Sequence, residues 1–266
     1  MEQQRGENLT LDAKYGGIIM GNITVVGIGP GSLLDMTERA RVAIAEAEVI
    51  FGYHTYIELI EPLIKSKEII GTGMRQEVER CKAAVDAALT KNVVVVSSGD
   101  AGVYGMAGLV LELLLNLSEA QRPAFEVISG VSAVNAAASV LGAPLMHDFA
   151  VISLSDLLTP WDLIIKRVEF AAQGDFVIAL YNPKSHKRVE NIREVQQIVL
   201  KYRNKNTPVG IVTGASRSNE SKIITTLEKF TDEEINMFSL VIIGNSTTYV
   251  KEGYMITPRG YRNLEN

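Results

Sequence analysis

The sequence predicts an α/β protein built from two α/β blocks of similar size. β-Branched runs alternate with stretches of helical periodicity along the whole chain, several runs end in glycine-containing loops, and two such series meet near Leu145–Asp148 with no low-complexity linker between them. A chain of 266 residues, 47% hydrophobic and 21% charged, is long enough to bury a sizeable core without disulfides or a structural metal.

The elements follow in order. Ile23–Ile28 is a short β-branched strand, followed by the loop Gly27-Ile-Gly-Pro-Gly31. Thr37 is placed to cap a helix over 38–47, with Ala40, Ile44 and Ala47 on one face. Val49–Phe51 is a second strand, and 55–65 is helical, stopping near Lys65. Over 75–90, Val78, Cys81, Val85 and Leu89 recur at helical spacing. Val93–Val96 is a buried strand running into Ser97-Ser-Gly-Asp100; a helix over about 104–117, a strand Phe125–Ile128 and a helix opening at Gly130-Val-Ser-Ala133 complete the first block.

In the second block, Phe149–Leu154 is strand-like. Thr159-Pro160 reads as an N-cap followed by proline at the first helical position, and Trp161, Ile164, Ile165, Val168 and Ala172 mark the buried face of that helix. Phe176–Tyr181 is a strand ending in Asn182-Pro183. Val189, Ile192, Val199 and Tyr202 align on a helix over 189–203, and strands follow at 208–213, 221–226 and 239–243. The expected organisation is a flexible N-terminal extension over 1–21, a first domain over 22–146 and a second over 147–266.

Composition excludes several functions. Lys+Arg 26 against Asp+Glu 31 gives a net charge of -5, so no nucleic-acid partner is expected. The single cysteine, Cys81, excludes an internal disulfide and a four-cysteine iron–sulfur cluster. The histidines at 54, 147 and 186 fit no zinc pattern, so no protein-bound metal is expected. No uninterrupted apolar run reaches membrane-spanning length, and the most apolar helix, Val103 to Leu117, carries Glu112. The first twenty residues hold Glu2, Arg5, Glu7, Asp12 and Lys14 and lack the apolar core of a signal peptide, so a cytoplasmic location without membrane contact is expected.

Ligands of open α/β sheets bind beyond the carboxyl ends of strands, which singles out the loops 27–32, 97–105 and 129–133. Gly27, Gly29 and Ser32 nearly match a dinucleotide fingerprint. However, Pro30 removes a backbone N–H, and the second strand ends in Phe51-Gly52-Tyr53 with no acid for a ribose. No phosphate-binding GxxxxGK[ST] loop occurs. Asp100, at a strand end, either faces a cationic or amine-bearing ligand or caps the following helix, and Tyr104 is either a ligand contact or a packed aromatic.

These three loops together resemble the S-adenosylmethionine-dependent tetrapyrrole methyltransferases, over roughly residues 22–260. Gly99–Leu109, Thr72–Cys81, Gly52-Tyr-His-Thr-Tyr-Ile57 and Tyr181-Asn-Pro183 are similar to the branch that methylates carbon 17 of precorrin-3B and contracts the macrocycle. The resemblance implies two α/β domains with the methyl donor, S-adenosylmethionine, in the cleft between them. It implies that Pro30 shapes the loop beside the donor, that Gly99, Asp100 and Val103 line its pocket with Ser132 and Ala133 beside it, and that Asn182 and Gly210 hold the adenosine end. Ser129, where the family often has proline, and Ser218-Asn219, where it often has a glycine turn, depart from the pattern.

The implied partner is a tetrapyrrole bearing several carboxylates, with or without cobalt, and the implied assembly is a homodimer. An acidic protein must hold such a polyanion with a local basic patch. Lys184, Lys187 and Arg188 follow the strand ending at Tyr181, and Arg75 and Arg217 are further candidates; the alternative for 184–188 is a solvated helix start. Basic residues at a helix N-terminus oppose its dipole, which favours a ligand there. Methyl transfer from a sulfonium needs mainly positioning, while ring contraction also moves protons, for which Asp100, Tyr104 and His186 are the candidates. A methyltransferase acting at a different carbon, or on protein or RNA, and a non-enzymatic binder are the alternatives.

Overall fold

The computed structural model describes residues 20–185 and 189–261. The chain forms two compact units, one running through Ile28 and over Met36–Gly130, the other comprising Gly29–Asp35 and the chain from Val131 onward.

The first unit is built on five parallel strands, β1 (Asn22–Gly27), β2 (Val49–Tyr53), β3 (Glu68–Thr72), β4 (Asn92–Ser97) and β5 (Ala124–Ile128), in the order β3-β2-β4-β1-β5. Side chains alternate across the sheet. Ile23, Val25, Val49, Phe51, Val93 and Val95 pack in one core with the helices α4 (Glu77–Ala88) and α5 (Ala107–Leu115). Val26, Ile50 and Val94 are buried at the intervening positions, so the strands read as continuous apolar runs. Because the strands are parallel, their carboxyl ends share one edge.

Of the earlier helices, α1 (Glu38–Glu46) begins where the Thr37 hydroxyl accepts from the Ala40 N–H at 3.2 Å, as the sequence predicts. The single helix expected over 55–65 is instead two, α2 (His54–Leu59) and α3 (Glu61–Ile64), divided at Ile60. Pro62 has no N–H to donate and its ring opposes continuation from the preceding turn. The buried face of α4 is Arg80, Cys81, Ala84, Val85 and Ala88; Val78, expected in that face, is exposed. α5 starts at Ala107, later than the expected 104, because residues 98–106 form a loop.

The second unit contains α6 (Ala133–Leu141), β6 (Gly142–Ala143), β7 (Phe149–Ser153), α7 (Trp161–Gln173), β8 (Val177–Tyr181), α8 (Asn191–Leu200), β9 (Pro208–Thr213), β10 (Ser221–Thr226), β11 (Ser239–Ile243), β12 (Tyr249–Lys251) and β13 (Tyr254–Ile256). Its main sheet has the order β10-β9-β11-β8-β7; β7 and β8 are parallel and the other pairs antiparallel. β9 therefore runs with β7 and β8, and the carboxyl ends of these three strands lie on one edge. A small sheet, β12-β13-β6, completes the unit.

Alternation explains both faces of the main sheet. Ile178, Leu180, Val209, Ile211, Val241 and Ile243 pack with Ile164, Val168, Val195 and Val199 of α7 and α8. Val177, Ala179, Val212 and Ile242 pack with Val134, Ala137 and Leu141 of α6. Because α6 covers this sheet, the compact units divide after Gly130 rather than at the expected 146/147. Pro160 is itself the N-cap of α7 rather than its first helical residue. On α8 the expected Val189 and Tyr202 fall outside the helix and are exposed, the Tyr202 hydroxyl donating to Glu169 at 2.9 Å.

Gly210, in β9, sits where a Cβ would lie 2.4 Å from a Leu141 methyl. Gly210→Ala is expected to destabilise the protein by about 1–3 kcal/mol through overpacking. Adding Leu141→Ala should cost less than the sum of the two changes, because the second removes the clash; thermal unfolding of the two single variants and the double checks this.

Burial pushes the Cys81 thiol from 9.0 up to about 11, against the lowering effect of the Arg80 guanidinium. The fold thus favours the neutral thiol. That contribution is fully present below pH 9 and is lost as pH rises toward about 11. The chain's single thiol should be inert to Ellman's reagent in the native protein at pH 8 and react fully once the protein is denatured.

Candidate functional site

On the carboxyl edge of the first sheet, β1 lies between β4 and β5, with Gly27 opposite Ser97 and Val26 opposite Ile128. The loops that follow these strands therefore start side by side, and they touch through glycines. A Cβ on Gly130 would lie 2.2 Å from the Gly99 carbonyl oxygen and 2.6 Å from that of Gly27, and one on Gly27 would lie 2.6 Å from the Gly130 nitrogen. Any side chain at these positions would force the three backbones apart. The Ile28 N–H donates to the Ser97 carbonyl at 2.9 Å, tying two of the loops together.

Asp100 holds the third. Its Oδ1 accepts from the Gly102 and Val103 N–H groups at 2.8 and 3.0 Å, and its Oδ2 accepts from the Gly130 N–H at 2.9 Å. The carboxylate is thus a clamp between its own loop and Gly130. It caps no helix: α5 begins at Ala107, with its first N–H donating to the Ala101 carbonyl at 3.1 Å. The Ser97 hydroxyl accepts from the Met106 N–H at 3.0 Å and closes the loop's far end. Val103 and Tyr104 project at the tip, 38% and 54% exposed, and Tyr104 holds φ +54°, an unfavourable conformation for a bulky residue.

The segment after β3 reaches the same loop. Arg75 is exposed, also with a left-handed backbone (φ +65°). Arg80 is buried; it donates to the Thr72 hydroxyl at 2.6 Å and contacts the Met106 sulfur at 3.6 Å. Its Nε has no partner, and it forms no ion pair with a described residue. Arg80 therefore fastens the end of β3 to the end of the glycine loop. Apolar periodicity alone does not mark Arg80; a lone arginine on an otherwise buried helix face is the signal that does.

In the second unit, Tyr181, Asn182 and Ser153 form a corner at the ends of β8 and β7. The Tyr181 hydroxyl accepts from the Val134 N–H at 2.9 Å, satisfying an N-terminal donor of α6 that the N-cap Ser132 leaves without a side-chain bond. Asn182, at φ +50°, donates to the Ser153 hydroxyl at 2.9 Å. Ala133 opens α6, and Gly210 faces Leu141 of that helix, so its missing Cβ serves packing. Pro30 is buried in this unit, its carbonyl accepting from Arg217 Nε at 3.1 Å, while the Arg217 guanidinium lies 5.7 Å from the centre of the Phe238 ring. Lys184 follows β8 and forms no ion pair with a described residue. His186, Lys187 and Arg188 lie outside the described residues.

The geometry thus brings Gly27, Gly99, Asp100 and Gly130 into one constellation. It gathers Pro30, Asn182, Lys184 and Arg217 on the carboxyl edge of β7, β8 and β9. A cavity of about 300 Å³ lined by Asp175, Asn245, Thr247 and Arg259 among others lies at the opposite edge of that sheet. Among the described residues, no cluster of His, Cys, Asp and Glu could hold a metal ion, and no helix is long and apolar enough to cross a membrane.

Residues 22–231 match the family described as Tetrapyrrole (Corrin/Porphyrin) Methylases. A cobalt-factor III methyltransferase of Priestia megaterium is 53% identical over 245 residues, which is 91% of this chain but 45% of that protein, so the chain spans about half that relative's length. A Salmonella typhimurium protein named "Probable cobalt-factor III C(17)-methyltransferase" is 50% identical over 242 residues, 90% of this chain and 99% of its own. The crystal structure of the methyltransferase CobJ superimposes with a TM-score of 0.85 at 34% identity, covering 90% of this chain and 100% of that one.

The Asp100 clamp predicts a graded loss. Asp100→Ala leaves three backbone N–H groups without their acceptor; the Gly102 and Val103 groups are exposed to water, so the melting temperature should fall chiefly through the part-buried Gly130 N–H, at a cost of about 1–3 kcal/mol. Asp100→Asn keeps one oxygen for Gly102 and Val103 but turns an amide N–H toward that of Gly130, so it should fall between the two. Thermal unfolding of both variants gives the order, and an unchanged melting temperature for Asp100→Ala would contradict the clamp.

Proposed function

The chain belongs to the tetrapyrrole (corrin/porphyrin) methylase family, and from that premise we propose that it is a methyltransferase of cobalamin biosynthesis. In this reading it carries the methyl group of S-adenosylmethionine to carbon 17 of precorrin-3B or cobalt-factor III, with contraction of the ring to the corresponding precorrin-4 or cobalt-precorrin-4. The observation that carries it is the 50% identity maintained over 99% of the Salmonella relative's length. We further take the enzyme to be cytoplasmic and homodimeric.

The chemistry suits the site. In methyl transfer the C–S bond of a sulfonium breaks as the bond to the acceptor carbon forms, and sulfur keeps the electron pair as a neutral thioether. The donor brings its own leaving group, so the protein's task is orientation and exclusion of water. The three contacting glycine loops fit a donor that must lie against backbone, because Gly27, Gly99 and Gly130 put no side chain in the way. Over 97–106 the only charged side chain is Asp100. The Asp100 carboxylate attracts a cationic sulfonium more than the neutral thioether product, while the buried Arg80 guanidinium contacts the same loop at Met106.

Of the donor residues implied by the resemblance, Gly99, Asp100 and Val103 carry this proposal most directly, Asp100 by fixing the loop. Tyr104, exposed and strained at the loop tip, is the described candidate for proton movement during contraction. Arg75, Lys184 and Arg217 are proposed to meet substrate carboxylates.

The test is incubation of the purified protein with S-adenosylmethionine and either precorrin-3B or cobalt-factor III, followed by mass spectrometry and carbon-13 NMR of the product. One added methyl group at carbon 17 of a contracted ring is expected. A methyl group at another carbon, or no transfer to either macrocycle, overturns the assignment.

A further inference from the structure

The carboxyl edge of β7, β8 and β9 carries apolar surface that donor binding and carboxylate recognition leave unused. Between β7 and α7 the chain turns through Leu157 and Leu158, which are 67% and 99% exposed. The loop is anchored at its base. Leu154 is fully buried, its N–H donating to the Tyr181 carbonyl at 2.9 Å, and the Ser153 hydroxyl accepts from both the Ser155 N–H at 3.2 Å and Asn182. Beside the end of β9, Arg217 holds Pro30 of the segment Gly29–Asp35, and that segment presents Leu34, 93% exposed. Phe238, preceding β11, is half-exposed beneath the Arg217 guanidinium.

Single exposed leucines are ordinary, but an adjacent pair on an anchored turn, on the same edge as another exposed leucine, is the kind of surface that marks a binding site. Lys184 and Arg217 lie on this edge between and beside these residues. The acids are few: Asp156 and Asp162 flank the leucine turn, Asp35 follows Leu34, and Glu220 already accepts from the Ser216 N–H at 2.7 Å. From the end of β7 to the end of β9 is three strand spacings, about 14 Å. A line of apolar contacts interspersed with cations over that span complements a flat ring with carboxylates at its periphery.

We propose that the Leu157–Leu158 turn is the apolar contact for the face of the tetrapyrrole substrate, with Lys184 and Arg217 receiving its carboxylates. The assignment of the macrocycle rests on the function proposed above. The turn sets binding of the ring and leaves the donor untouched.

The probe is uroporphyrin III, a stable metal-free tetrapyrrole with peripheral carboxylates. Tetrapyrroles absorb where tryptophan emits, and the chain's single tryptophan, Trp161, stands just after the turn, so quenching of its emission reports binding. The double variant Leu157→Ser/Leu158→Ser should bind uroporphyrin III at least about tenfold more weakly, as expected when two leucine contacts are lost. Its melting temperature and its affinity for S-adenosylhomocysteine, read by calorimetry, should match the native protein, and Leu157→Met/Leu158→Met should restore binding. Unchanged uroporphyrin affinity in the serine variant overturns the inference. So does equal loss of both ligands, which would make the turn a determinant of overall shape, and so does a changed sedimentation coefficient, which would assign the leucines to contact with a second copy. If the native protein methylates its macrocycle but the serine variant keeps the same KM, the inference fails alone. If the native protein neither binds nor methylates any tetrapyrrole, the function on which it rests fails with it.

Discussion

The first unit depends on the mutual contact of three backbones at Gly27, Gly99 and Gly130. Parallel pairing fixes where β1, β4 and β5 end, but it does not decide what their loops do next. Because a Cβ at Gly130 would fall 2.2 Å from the Gly99 oxygen, only glycine lets the loops meet. Once they meet, Gly130 offers an N–H that needs an acceptor, and Asp100 supplies one while also satisfying Gly102 and Val103. The loop that follows is held at Ser97 and again at Arg80 through Met106. Its tip is thereby fixed well enough to keep Tyr104 in a left-handed conformation that an isolated chain would leave.

Strain of this kind is not scattered evenly. Six non-glycine residues hold positive φ among the described residues, and four of them, Arg75, Tyr104, Asn182 and Ser216, follow carboxyl ends of strands in one sheet or the other. Asn182 is compensated by its bond to Ser153, and Ser216 by the bond from its N–H to Glu220. Asp175, at the opposite edge of the second sheet, has a structural reason: it accepts from the Ser246 N–H at 2.9 Å and lies 3.5 Å from the buried Arg203 guanidinium. Arg203 in turn donates to the carbonyls of Gly244 and Phe176. Burial lowers the Arg203 pKa, and Asp175 opposes that shift. That end of the sheet is closed by a network around Arg203, whose Nε pairs with Asp175 at 3.5 Å without a hydrogen bond, whereas the carboxyl edge presents exposed leucines and a lysine without an ionic partner among the described residues.

Much of the fold is legible in the chain. The strands at 208–213, 221–226 and 239–243 have the predicted bounds, because each is a β-branched run bounded by turn residues. The three loops chosen on composition are the three that follow adjacent strands. What was illegible has local causes. β6, β12 and β13 have two or three residues and cannot display a period. Pro62 broke one apolar pattern into two helices, and Val78, Val189 and Tyr202 share a period with core residues without sharing their burial. The position of α6 in the second unit depends on Leu141 filling the gap at Gly210, a contact between residues far apart in sequence that no window along the chain contains. For the same reason composition could not show that Asp100, rather than capping a helix, accepts from the Gly102, Val103 and Gly130 N–H groups.

The charges left over by this structure also have a pattern. A net charge of -5 ought to repel a polycarboxylate, yet some of the acidity is paired: Glu126 with Arg39, Glu68 with Lys91 and Glu228 with Lys205. The field at each edge is therefore set by the few groups nearest to it, since exposed charges beyond about 8 Å are screened at physiological ionic strength. On the loop of the first unit that group is a carboxylate, which suits a sulfonium. On the carboxyl edge of the second they are Lys184 and Arg217, which suit an anion, with leucines where an anion's apolar body would rest. Arg80 fits neither description. As a buried cation with no ionic partner among the described residues it should be costly, and the bonds it does make join β3 to the glycine loop. What it provides in return is local: it ties the end of β3 to Met106, where the glycine loop runs into α5.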